Sequence, residues 1–266
     1  MKPFLKWAGN KYRIVDQIKR KLPQGQRLLE PFLGSAAVFL NTNYPYYYLA
    51  DANPDLIHFY QYLQQHGQAF IRDCQAFFHA HYNRKEIFYE LRNVFNTTQD
   101  TYLKSLLFLY LNKHCFNGLC RYNTSGIFNT PFGRSIRPYF PEMELNFFYK
   151  KANQVAIVHS DFITTMRQAE KGDVIYCDPP YVPLSATANF TRYSSNTFAQ
   201  ETQIQLAKEA EASTKRGVVV IISNHDNEFT RALYTRAEIT ELKVQRFISC
   251  NGKKRVQASE LLAVFT

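Results

Sequence analysis

The chain has 266 residues, 45% of them hydrophobic, enough for one large α/β core or for such a core carrying a smaller inserted unit, and too apolar for a disordered chain. Lys and Arg number 32 against 22 Asp and Glu, a formal charge of +10 at pH 7. The excess is clustered: Lys2, Lys6, Lys11, Arg13, Lys19, Arg20 and Lys21 at the start, Arg121, Arg134 and Arg137 in a Gly- and Asn-rich stretch, and Lys253, Lys254 and Arg255 near the end. Basic clusters interleaved with aromatics favour a polyanionic partner, nucleic acid first, without separating DNA from RNA. Charges interrupt every apolar run, so no membrane span is expected. The opening MKPFLKWAGNKYR lacks the apolar core of a signal peptide. Cys115 and Cys120 lie beside His114, but no second ligand pair follows, so no metal is expected. Reduced thiols in a cytoplasm are the simplest reading of the five cysteines.

In chain order, residues 1–54 read as a helix, the strand RLLEP, a glycine turn, the helix SAAVFLNT and the strand YYYLAD, an alternation that builds a parallel sheet. From 54 to 149, DLIHFYQYLQQ, AFIRDCQAFFHAHY, EIFYELRNVF and YLKSLLFLYLNKHC place apolar residues three and four apart and are predicted helices. FNGLCRYNTSGIFNTPFGRSIRPYFP then exchanges periodicity for Gly, Asn, Pro and Ser, which predicts a hairpin or ordered loop. The remainder returns to strands, QVAIVHSD, DVIYCDPP, GVVVIISN, ITELKVQRFIS and ELLAVF. Between them TQIQLAKEAEASTKR, ended by Gly217, and NEFTRALYTR are predicted helices. The expectation is an α/β sheet of about seven strands, the last two a hairpin because no helix fits between them, with a largely helical insertion.

Three strand ends draw attention, because open α/β sheets bind ligands beyond the carboxyl ends of their strands. The first strand runs into PFLGSAAVF, where Gly34 turns the chain beside small Ser35, Ala36 and Ala37. The second ends at Asp51, 17 positions after Gly34, an offset at which a carboxylate holds ribose hydroxyls; the competing reading of Asp51 is a helix N-cap in LADANPDL. The third stops at Asp178-Pro179-Pro180-Tyr181, which taken alone is a capped turn. If the three strands are parallel neighbours, their ends line one cleft. SNHD (223–226) closes another strand and is given no chemistry, and the histidines are read as structural or exposed.

FLKWAGNKYR (4–13), LLEPFLGSAAVFLN (28–41), YYLADANPDLI (47–57), LYLNKHCFNGLCRYNTSGIFNTPFGR (109–134) and VIYCDPPYVPLSATANFT (174–191), in this order, resemble the Dam-type DNA adenine-N6 methyltransferases over nearly the whole chain. The resemblance implies a Rossmann-like methyltransferase domain at 1–54 and 150–266, and a mainly helical target-recognition domain at 55–149 with a hairpin loop near 117–138. It implies S-adenosyl-L-methionine as methyl donor, S-adenosyl-L-homocysteine as product and double-stranded DNA, most often GATC, as partner. A cytoplasmic, nucleoid-associated enzyme follows, with the oligomeric state left open and a monomer in solution compatible with the resemblance. Trp7, Lys11, Phe32, Gly34 and Ser35 would contact the cofactor, Asp51 its ribose, and Asp161 and Phe162 its adenine. Asp178, Pro179, Pro180 and Tyr181 would form the catalytic motif between cofactor and target base, with Asp178 also contacting the cofactor. The family often has a second glycine where this chain has Ala36, which places cofactor affinity in question.

The resemblance also implies how DNA is read. Arg121 would pair with a guanine edge in the major groove, Leu119 would sense an apolar base edge, and Phe116 would wedge where the adenine leaves the stack. Asn117 would face the orphaned base, Lys6 a second guanine, and Pro131 a base edge. Asn123, Asn129, Arg134 and Ser185 would contact phosphates. From spacing alone, Phe116 is instead a core ring at a helix end and Arg121 a solvated loop charge. The polar loop 185–198 is a candidate lid. Rival readings are RNA adenine-N6 or DNA cytosine-N4 methylation, glutamine methylation, and a non-catalytic DNA-binding relative.

Overall fold

The computed structural model describes residues 1–181, 200–244 and 258–266; Ser185, the 185–198 loop and the basic residues 253–255 lie outside them. Seven strands form one sheet: β1 (Arg27–Glu30), β2 (Tyr46–Asp51), β3 (Val155–His159), β4 (Val174–Cys177), β5 (Val219–His225), β6 (Glu238–Val244) and β7 (Ala258–Phe265). Their spatial order is β3-β2-β1-β4-β5-β7-β6. The first five are parallel, and β7 inserts antiparallel between β5 and β6. The β6–β7 pair is the expected hairpin. Strand order reverses between β1 and β4, the switch point at which such sheets open a crevice.

The chain wraps this sheet with α1 (Val15–Lys21), α2 (Pro54–His66), α3 (Gln68–Gln75), α4 (Lys85–Thr97), α5 (Thr101–His114), α6 (Glu142–Lys151), α7 (Phe162–Arg167), α8 (Gln200–Thr214) and α9 (Glu228–Leu233). Local chemistry sets their ends. Asn53 caps α2 with Pro54 in its first turn, Asp100 caps α5 through the Tyr102 and Leu103 amides, and Asn227 and Thr230 form a reciprocal capping box on α9. The periodic reading found α2, α4, α5, α8 and α9, but it ran α3 on through two short 3₁₀ turns and passed over α6 and α7.

One predicted helix does not form. SAAVFLNT is a run of turns closed by a 3₁₀ turn at Phe39–Asn41, because buried Ala36 takes a left-handed φ of 58° that an α-helix cannot contain. A β-carbon in that region costs about 1–2 kcal/mol. That is the physical content of the departure at Ala36.

Alternation along the strands divides the core. Leu28, Tyr47, Val174, Tyr176 and Ile221 face α2, α5 and the inserted helices in one continuous cluster. Leu29, Ile175, Cys177, Val220 and Ile222 face α7 and α8 on the other side. The long helix α5, buried from Ser105 to His114, runs through the first cluster and brings Asn112 near its C-terminus against Lys6 of the N-terminal segment. His114 is a core residue there: its Nδ1 lies 2.8 Å from the Tyr110 carbonyl, and burial pushes its pKa down to about 4.

Candidate active site

The parallel register brings the ends of β1, β2, β4 and β5 to one edge. Beyond β1, Gly34 takes φ +49° under the Trp7 indole; a β-carbon there would lie 2.9 Å from Trp7 Cδ1 and Nε1. Asp51 Oδ2 accepts from the Gly34 amide at 3.0 Å and Oδ1 from the Asn53 amide at 3.0 Å, so the carboxylate joins the glycine turn to the end of β2. The N-cap of α2 is Asn53, so that reading of Asp51 is removed. Burial raises the Asp51 carboxyl above its ordinary range, against the two amides. The Ser160 amide donates to the Asp51 carbonyl at 3.3 Å, drawing the end of β3 alongside. Next, Asp161 caps α7 by accepting from the Thr164 amide at 2.9 Å and hydroxyl at 2.7 Å. Burial raises its carboxyl, but these donors outweigh it and hold it below the ordinary range. Phe32 and Phe162 stack with centroids 5.5 Å apart.

Beyond β4, Asp178 is the centre of a charged cluster. Its Oδ1 receives the Lys11 ammonium at 2.8 Å and the Ser223 hydroxyl at 3.0 Å. Lys11, 5% exposed, also donates to the Gly9 carbonyl at 2.8 Å, lies 3.9 Å from Glu260 Oε2, and stands 4.7 Å from the Tyr181 ring centroid. Tyr181 donates to Glu260 Oε2 at 3.1 Å and packs edge-on against His225. Gln203 of α8 donates to the Pro180 carbonyl at 3.0 Å, and the Asn224 side chain holds Gln203 in turn. Burial raises the Asp178 carboxyl above its ordinary range, Lys11 opposes the rise, and Glu260 adds to it. Asp178 thus remains partly open, its side chain 20% exposed, while Lys11, Ser223 and Tyr181 beside it are each held by a further partner.

A second cluster forms where the N-terminal segment meets the end of α5. Asn112 accepts from the Lys6 amide at 2.9 Å and donates to the Lys6 carbonyl at 2.7 Å. Lys6 lies against Gly118, in the 3₁₀ turn Phe116–Gly118, where Asn117 also takes a left-handed φ of 54°. Phe116 is 40% exposed, not a core ring. The Phe116 amide donates to the Pro131 carbonyl at 2.8 Å, and the hairpin closes through the bridges Cys115–Phe132 and Tyr122–Phe128. Arg121 Nε donates to Asn129 Oδ1 at 2.6 Å and its guanidinium also reaches the Asn129 carbonyl at 3.1 Å. Asn123 Oδ1 accepts from the Ser125 and Ile127 amides, tying off the hairpin tip, while Arg134 is exposed and Leu119 half-buried.

Gly118 is required by both conformation and space. At φ +67°, its β-carbon would meet Lys6 Cβ at 2.5 Å and Cδ at 2.2 Å, so Gly118→Ala has to displace the N-terminal segment. The expected cost is about 1–3 kcal/mol in denaturant unfolding. A variant with wild-type stability and an unmoved Lys6 would contradict this packing.

Several partners escaped the sequence reading: Ser223, Glu260, Gln203 and Asn112. Glu260 left one signal, a carboxylate near the head of a strand otherwise reading LLAVF. Ser223 had one in SNHD. Asn112 and Gln203 sit in helical periodicity as ordinary polar residues and had none.

Comparison with known proteins agrees over the same span. Residues 7–248 match the family model described as "D12 class N6 adenine-specific DNA methyltransferase". A "DNA adenine methylase" of Vibrio cholerae serotype O1 is 50% identical over 99% of this chain and 95% of its own. Proteins of the same description from Serratia marcescens and Escherichia coli K12 are 50% and 47% identical, each over 98% of this chain and over 97% and 94% of their own lengths. No described helix is long and apolar enough to cross a membrane. The chain belongs to the D12 class of N6 adenine-specific DNA methyltransferases, enzymes that require a methyl donor.

Proposed function

We propose that this enzyme transfers a methyl group from S-adenosyl-L-methionine to N6 of an adenine flipped out of duplex DNA, at GATC, with Asp178 as the acceptor that orients the amino group. The observation that carries this reading is the Asp178 carboxylate, held by Lys11 and Ser223 through one oxygen at the switch point of the sheet. S-adenosylmethionine supplies an electrophilic methyl group on a sulfonium centre.

The residues at the strand ends fit such a donor. The tight Gly34 turn under Trp7, the buried Asp51 carboxylate, the Asp161 carboxylate and the paired Phe32 and Phe162 rings offer a backbone cradle, two anionic groups and an apolar face in sequence along one edge. Trp7, Gly34, Ser35 and Lys11 would bind its amino-acid part, Asp51 its ribose, and Asp161, Phe162 and Phe32 its adenine. Asp178 and the Pro179 carbonyl then receive the two N6–H groups of the target base, which is stacked on Tyr181. The prolines fix that carbonyl with no competing N–H. Two acceptors at a set angle favour a pyramidal nitrogen, and much of the acceleration comes from positioning.

Residues 55–149 serve as the recognition domain on a catalytic domain of 1–54 and 150–266. Arg121 reads guanine, and Asn129, bonded to it, orients that guanidinium in addition to any phosphate contact. Lys6, docked on the same turn as Phe116 and Asn117, reads a second guanine; Leu119 and Pro131 line base edges, and Asn123, Arg134 and Ser185 meet phosphates. The enzyme works in the cytoplasm on the nucleoid and needs no metal.

Labelled S-adenosylmethionine, offered with a GATC duplex, a duplex whose adenine is scrambled away, and a matched RNA, tests the reading. The expected product is N6-methyladenine in the GATC duplex alone. Label in the scrambled duplex, in RNA or on cytosine would overturn the assigned specificity. No label anywhere, with both ligands bound, would make this a binding protein.

A further inference from the structure

The acceptor carboxylate has one oxygen occupied and one open. Asp178 Oδ1 takes both the Lys11 ammonium and the Ser223 hydroxyl, and among the described residues no hydrogen bond reaches Oδ2. Ser223 is fully buried on β5. Its hydroxyl has one proton to give and three acceptors in reach, Asp178 Oδ1 at 3.0 Å, the Cys177 carbonyl at 3.4 Å and the Tyr181 hydroxyl oxygen. The buried Tyr176 hydroxyl on β4 donates into Ser223 Oγ at 3.0 Å, which turns the serine's own proton away from it. The shorter distance and the negative charge direct that proton to Asp178. Neither hydroxyl is needed to join the strands, because β4 and β5 pair through backbone from Val174–Val219 to Cys177–Ile222.

We propose that Ser223, backed by Tyr176, is a positioning residue for methyl transfer: the two hydroxyls hold Asp178 Oδ1 so that Oδ2 and the Pro179 carbonyl are the pair that receives the target amino group. This rests on the reading of Asp178 as the acceptor. The role explains why a strand face lined by isoleucine and valine carries a buried serine at its carboxyl end, and why the strand end SNHD contributes to the site.

The titratable and donor groups whose charge or hydrogen bond reaches the Asp178 carboxyl are Lys11 from the N-terminal segment, Glu30 on β1, Tyr176 and Cys177 on β4, Tyr181 after it, Ser223 on β5 and Glu260 on β7, and His225 on β5 packs against Tyr181. Among the described residues, Ser223 is the uncharged group that donates to this carboxyl. Its loss takes a hydrogen bond from the ionised form, so Asp178 ionises at higher pH in its absence.

Single-turnover methylation of a GATC duplex is measured from pH 5 to 9 for wild type, Ser223→Ala and Tyr176→Phe. Ser223→Ala is expected to slow transfer roughly tenfold at neutral pH and to move the acid limb upward, with affinity for S-adenosylhomocysteine and duplex unchanged. Tyr176→Phe moves the limb the same way by less. An unmoved limb in both variants, whether the rate is wild-type or uniformly reduced, overturns the proposal. Should Ser223→Ala fail to fold, the limb of Tyr176→Phe decides alone. Asp178→Ala separates the two readings. If it still turns over, the acceptor assignment has failed; if it is inactive while the hydroxyl variants keep the wild-type profile, only the positioning role has.

Discussion

Asp178→Ala is expected to keep its fold and to lose methyl transfer by on the order of a thousandfold or more. The protein keeps its other ring and charge contacts when this carboxylate is removed. Lys11 retains the Gly9 carbonyl at 2.8 Å and has Glu260 at 3.9 Å to balance its charge, so the ammonium is not orphaned. Tyr181 keeps Glu260, and Pro180 keeps Gln203. What disappears is the acceptor for the amino group. Adenine N6 is a poor nucleophile because its lone pair is delocalised into the ring, and without that acceptor the nitrogen stays planar. Quenched single-turnover assays with labelled donor read the chemical step directly. A variant within tenfold of wild type would sink the mechanism. The direction with pH follows from burial, which raises this carboxyl: activity is carried by the ionised form and is lost as pH falls through the raised value.

The reach of the sequence here is set by the range of the interactions. The strand run VIYC announces a strand buried on both faces, and all four residues are buried. Gly34, Asp51 and Asp178 could be named because each ends a strand in a parallel sheet, and topology alone brings such ends together. SAAVFLNT failed for the opposite reason. Its composition is helical, and what forbids the helix is the left-handed Ala36, imposed by a turn pinned from Leu33 to Ala50 and from Ala36 to Leu33. No window of sequence contains that constraint.

The same logic separates the recognised site residues from the missed ones. Lys11 and Asp178 stand in motifs with unusual composition, but the second carboxylate near Lys11, Glu260, arrives from the last strand, and the hydroxyl on Asp178, Ser223, from another. The docking of Lys6 on the Phe116 turn spans 106 positions from Lys6 to the Asn112 that holds it. Periodicity describes what one element buries; it is silent on which polar group meets which across elements.

Glu30→Gln is expected to stabilise the protein, and the gain grows as pH rises. Glu30 ends β1, is 2% exposed, and its Oε1 has no hydrogen-bond partner among the described residues. Burial lifts its pKa from 4.5 to about 8; the Phe39 amide and Lys151 oppose the rise and Asp178 adds to it. Lys151 shares the strain: burial pushes its pKa down to about 8 while Glu30 draws it up. The folded protein therefore keeps the Glu30 proton over a range in which the unfolded chain has released it. Stability from this group is complete below pH 4.5 and declines as pH rises toward about 8, at about 1.4 kcal/mol per unit. Glutamine has the shape of the protonated acid and cannot ionise, so the variant lacks that slope. Urea unfolding of both proteins at pH 5.5, 7 and 8 isolates the group, because the remaining titrations cancel in the difference. The gap between the two proteins should widen by several kcal/mol from pH 5.5 to pH 8, with the variant the more stable. A constant offset across the three pH values would mean that Glu30 is ionised in the fold and satisfied by Lys151.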